Sequence, residues 1–90
     1  MTTTKLSAHP YSAAHINHFN DGAIALVSYK TTVIDIDSEG WLVVHGLYSR
    51  TTIKHIGWFM RERGLTYQLA KALYERHEMV NIYTGELRVV

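Results

Sequence analysis

The spacing of the apolar residues changes once along this chain, near Ser49, and that change restricts the fold class more than anything else in the sequence. Before it, the period is two. Residues 23–29 (AIALVSY) are nearly continuously apolar, as in a buried strand. Residues 32–37 alternate, with Ile34 and Ile36 on one face and Val33, Asp35 and Asp37 on the other. Asp37-Ser38-Glu39-Gly40 offers tight-turn chemistry, an acid first and glycine last, and WLVVHGL (41–47) follows. Residues 32–47 therefore read as a β-hairpin, and the simplest extension is an antiparallel three-stranded meander.

After Ser49 the period is that of a helix. Ile53, Ile56 and Met60 recur at helical spacing beside a ridge of Thr52, Ile56, Phe59 and Arg63. This predicts an amphipathic helix over 50–63, ended by Gly64. Thr66 can cap a second helix over 67–77, whose apolar residues are Leu69, Ala72 and Leu73. The tail ELRVV adds an edge strand. The expected fold is one α+β domain over residues 1–90, a three- to four-stranded antiparallel sheet packed on a helical hairpin. Residues 1–10 read as a loose lead-in. Pro10 would open a short helix over 11–19 with Ile16 and Phe19 on its apolar edge, stopped by Asn20-Asp21-Gly22.

Composition narrows function mainly by exclusion. Apolar residues make up 47% of the chain, enough to fold, and cysteine is absent, which excludes disulfides, thiolate catalysis and cysteine-based zinc sites. No run approaches a membrane span, and MTTTKLSAHP lacks the apolar core of a secretory signal, so a soluble, cytoplasmic protein is expected. The net charge of +1 is unevenly distributed. Residues 1–49 set Lys5 and Lys30 against Asp21, Asp35, Asp37 and Glu39. Residues 50–76 set Arg50, Lys54, Arg61, Arg63, Lys71 and Arg76 against Glu62 and Glu75 alone. Such a basic block suits an anionic partner, and it also suits an ordinary solvated helix face, the reading we favour.

The stretch LYSRTTIKHIGWF (47–59) holds the candidate chemistry. Ser49 is a preferred N-cap, and Thr51 and Thr52 can bond within the first turn, so capping accounts for all three without a ligand. Anion binding at the helix start, with Arg50 and Lys54 nearby, is the functional alternative. Ser49, His55 and Asp35 are the residue types of a catalytic triad, but Ser49 and His55 are separated by over one and a half helical turns, and no oxyanion-hole loop is evident. His15 and His18, with His9 close in sequence, have a chelating spacing on a helix. A closed four-ligand shell is missing, so surface histidines are the better reading and no metal or cofactor is expected. His45 and His55 read as hydrogen-bonded structural groups. Trp41, Trp58, Tyr48, Tyr67, Tyr74 and Tyr83 serve mainly as core, and any exposed beside Arg61 or Arg63 would make a protein-binding hot spot. Gly64-Leu65-Thr66 between two helices also has the look of a helix-turn-helix. RHEMVNIYTG, however, does not read as a recognition helix.

The segments SYKT (28–31), the block from Gly40 to Ile56 with its Y-S-x-T-T-x-K-H-I core, and NIYTGE (81–86) resemble a family of small bacteriophage and prophage proteins. That family has no assigned enzymatic activity, so the resemblance carries over no catalytic residue. It implies a phage setting, in which small proteins bind host proteins, including CRISPR effector components, as anti-CRISPR or other anti-defence inhibitors. The expected function is non-catalytic binding of a host protein through Tyr48, Arg50, Lys54, Trp58 and Arg61. The alternative is a nucleic-acid-binding regulator using the basic segment 50–76. A small sheet leaves an edge or face to cover, which admits a homodimer.

Overall fold

The computed structural model describes residues 1–90. Its seven strands form one antiparallel sheet in strict chain order: β1 (Thr2–Lys5), β2 (Ala14–His18), β3 (Ile24–Ser28), β4 (Thr31–Ile36), β5 (Trp41–Val44), β6 (Glu78–Asn81) and β7 (Leu87–Val89). Between β5 and β6 the chain leaves the sheet as α1 (Arg50–Glu62) and α2 (Tyr67–Arg76). The helical pair brings the chain back to the edge it left, so β6 pairs with β5 across the whole helical insertion. The α+β class and the helical hairpin are as expected. The sheet is nearly twice as large as expected.

Alternation along the strands turns one face towards the helices. Ile16, Leu26, Ile34 and Val44 lie in register across β2 to β5, and Ile36, Leu42 and Val80 form the next row. Ile56, Phe59 and Met60 from α1, and Ala70 and Leu73 from α2, close over them. Burying a side chain as large as Phe59 contributes roughly 2–3 kcal/mol.

Three expectations are corrected. The helix expected over 11–19 is strand β2: Ala14 and Ile16 point inward at period two, and β3 supplies a paired edge that outweighs local propensity. The lead-in is also structural. Residues 2–5 add an outer strand to β2, and Leu6 is fully buried in the core, held by a tight turn in which the His9 amide donates to the Leu6 carbonyl. Finally, Val33 does not face away from Ile34. The register shifts between Leu26 and Val27, which inserts one extra residue in β4, and both Val33 and Ile34 are completely buried.

The turns follow their chemistry. Asp37 Oδ1 accepts from the amides of Glu39 and Trp41, and the Gly40 amide donates to the Asp37 carbonyl. Gly40 has φ +95°, a conformation that favours glycine. The Tyr29-Lys30 link is a two-residue hairpin turn with Tyr29 at φ 57°.

Candidate functional site

Helix α1 begins where Ser49 caps it, with Ser49 Oγ accepting from the Thr52 amide at 3.2 Å. At about 100° per residue, Thr52, His55, Ile56, Phe59 and Met60 share one side, and all five are buried. Arg50, Lys54, Trp58 and Arg61 fall on the opposite side, within roughly 80° of each other about the helix axis. Arg50, Lys54 and Arg61 are exposed and Trp58 is half-buried. Tyr48 stands exposed just ahead of the helix, its ring folded back over Gly46, where a Cβ would lie 2.6 Å from it. Of the five residues singled out from the sequence, Tyr48, Arg50, Lys54 and Arg61 are exposed, while Trp58, at the border of the stripe, also packs against the core.

The charges of the stripe are unopposed. The protein has two ion pairs, His45 with Asp35 and Arg88 with Glu86, and neither involves α1. There is no acidic residue in the first turn of α1. Arg63 is different: its guanidinium lies 3.8 Å from the Phe59 ring centroid, and burial there lowers its pKa, partly opposed by Glu62. Trp58 is fixed by a stacked His9 ring at 3.6 Å, which pins the N-terminal turn against the helix. An aromatic strip runs on from Trp58 through His55 to Tyr29, with ring centroids 5.8 and 5.9 Å apart.

Beneath the stripe lies a polar chain that the sequence did not reveal. Ser28 Oγ is 2.7 Å from His55 Nδ1 and 3.1 Å from Thr52 Oγ1, and Ser49 Oγ donates to Thr52 Oγ1 at 3.2 Å. Ser28, Thr52 and His55 are all buried. Because Thr52 accepts from Ser49, each hydroxyl both donates and accepts only if Thr52 donates to Ser28 and Ser28 donates to His55 Nδ1. His55 then carries its proton on Nε2. That atom makes no hydrogen bond, yet no fully buried polar side-chain atom lacks a partner, so Nε2 is where the ring meets solvent. Desolvation lowers the His55 pKa and favours this neutral form.

A serine hydroxyl on a neutral imidazole resembles a nucleophile–base pair. Here Ser28 is 2% exposed, and the rings of Tyr29 and Trp58, not a carboxylate, flank His55. The chain's evident work is to lock β3 to α1. The triad considered from the sequence does not assemble: Ser49 reaches His55 only through Thr52 and Ser28, and Asp35 binds His45 Nε2 at 2.5 Å. The histidine chelate does not form either. In a strand, His15 and His18 face opposite sides, and His18 instead bonds Thr4 Oγ1 at 2.8 Å. His45 is hydrogen-bonded as expected, to Asp35, but its side chain is exposed and not partly buried. After α2 the chain enters β6, so no recognition helix follows the helical pair. One signal for the polar chain was available: Ser28 is a polar residue at an inward position of an otherwise apolar strand.

No helix is long and apolar enough to cross a membrane. The model of a family of unknown function (DUF8033) matches residues 1–76, from β1 through α2. No curated protein and no solved structure matches the chain.

Proposed function

We infer, for a chain that belongs to the family of unknown function DUF8033, that its role is non-catalytic binding of a protein partner through the outward stripe of α1. One observation carries this reading. Arg50, Lys54 and Arg61 are exposed without ion-pair partners around a Trp58 held rigid by His9. Fixed tryptophan with flanking arginine is the composition of a binding hot spot, because a preset ring loses little entropy on docking. Unopposed cations favour an acidic patch on the partner. In the phage setting that the sequence resemblance implies, the partner is a host protein, with a CRISPR effector component the case we put forward, and the chain acts as an anti-defence inhibitor. The closure of Ser28 beneath the aromatic strip supports a non-catalytic role.

The same cations support a second reading, nucleic-acid binding through residues 50–76, where six basic side chains face two acidic ones. Capture by the tagged protein from bacterial lysate, with and without nuclease, separates the two. A stoichiometric protein retained after nuclease is the expected result. A complex that disappears with nuclease, and whose affinity falls steeply with salt, supports the second reading.

A further inference from the structure

The sheet face turned away from the helices carries a groove of about 320 Å³, lined by Phe19, Trp41, Val43 and Met79 together with Asp35 and Asp37. We propose that this groove is a binding site for a small single-ring organic ammonium, separate from the α1 stripe.

Alternation places the groove. Val43 lies between Leu42 and Val44, and Asp35 between Ile34 and Ile36, whose side chains pack under the helices, so Val43 and Asp35 point the other way and sit opposite each other in register. The volume falls at the lower end of the range for small-ligand sites, of order 300–1,000 Å³, and the lining is mainly apolar. What commits it to a cation is its polar part. Both polar lining residues are carboxylates, and each is anchored through one oxygen. Asp35 Oδ2 is held by His45 Nε2, and Asp37 Oδ1 by the amides of Glu39 and Trp41. The second oxygen of each makes no protein hydrogen bond and remains free to accept from an ammonium. The anchoring bonds fix both carboxylates before a ligand arrives, which reduces the entropy lost on binding. Trp41, 8% exposed, adds an apolar wall; the Arg88 guanidinium, 4.4 Å from its centroid, already covers a face of the ring, so the carboxylates and not a cation–π contact hold the ammonium. An anion would meet two fixed carboxylates, and a neutral ring would leave both unanswered.

The test is an NMR titration of the full chain with phenethylammonium, followed at the Met79 methyl and the Trp41 indole. Neutral 2-phenylethanol and anionic phenylacetate serve as isosteric controls. The expected result is saturable shifts at both probes, with phenethylammonium binding at least about tenfold more tightly than 2-phenylethanol and phenylacetate not binding. Asp37→Asn should weaken the ammonium selectively. Val43→Lys, which places a tethered cation in the groove, should abolish binding while the indole signal of Trp58 stays in place. Arg50→Glu with Lys54→Glu should change nothing here. Equal affinity for the ammonium and the alcohol, or no saturable shift at Met79, overturns the proposal.

Discussion

Replacing Ser28 by alanine tests the buried polar chain most sharply. The substitution removes a hydroxyl that accepts from Thr52 and donates to His55 Nδ1, and it leaves both partners inside the protein. An orphaned buried donor or acceptor costs about 1–3 kcal/mol, so two cost roughly 2–4 kcal/mol after some relaxation. In a domain of this size each kcal/mol moves Tm by about 4–8 °C. Ser28→Ala should therefore lower Tm by roughly 8–30 °C in calorimetry or a circular-dichroism melt. Two serines calibrate the scale. Ser49→Ala removes an exposed cap and should cost only about 1 kcal/mol. Ser38→Ala, in an exposed turn, should cost nearly nothing. If Ser28→Ala melted like Ser38→Ala, the hydroxyl chain would not be holding β3 to α1, and the proton assignment on His55 would lose its basis.

Further predictions concern pH, glycine and the core. Because burial lowers the His55 pKa, the unfolded state binds more protons at this site than the folded one. Its contribution is therefore fully present above the unfolded value near 6.5 and is lost as pH falls through the lower, folded value, so the slope of Tm against pH in that window should be smaller in His55→Asn than in wild type. Gly22 and Gly40 both have positive φ, but a Cβ on Gly22 meets open space, whereas one on Gly40 falls 2.5 Å from the Tyr83 ring. Gly22→Ala should cost about 1 kcal/mol, Gly40→Ala more, and Tyr83→Ala should recover the difference between them in a double-mutant cycle read by urea denaturation. Phe59→Ala empties the centre of the core and should cost about 3–5 kcal/mol, most of the stability expected of a small domain, in the same assay.

The sequence announced the parts of the fold whose signals were local. Ile53, Ile56 and Met60 set the helical period of α1, and Asp37 with Gly40 set the turn between β4 and β5. The outward stripe of Arg50, Lys54, Trp58 and Arg61 was legible for the same reason, since the period that buries Ile56 exposes Lys54. Pairing is not local, and there the reading failed. AHINH has two apolar residues and two histidines, and only the neighbouring β3 makes it a strand. TTTK is a strand because β2 is beside it, and Leu6 is core because the turn to His9 folds it inward. The bulge at Val33 comes from the pairing of β4 with β3 and leaves no mark in the period of β4 alone. The bond from Ser28 to His55 spans 27 residues and joins a strand to a helix, so neither segment shows it separately.

If the outward stripe of α1 binds a protein, reversing its charge must weaken that complex. The direct measurement compares wild type with Arg50→Glu/Lys54→Glu/Arg61→Glu as bait in nuclease-treated bacterial lysate, after matching Tm values have shown that the fold is intact. All three positions are exposed and unpaired, so stability should change by less than about 1 kcal/mol. A protein held stoichiometrically by wild type should be reduced at least about tenfold on the triple variant. A partner retained equally by both baits would contradict this expectation and place the binding surface elsewhere on the molecule.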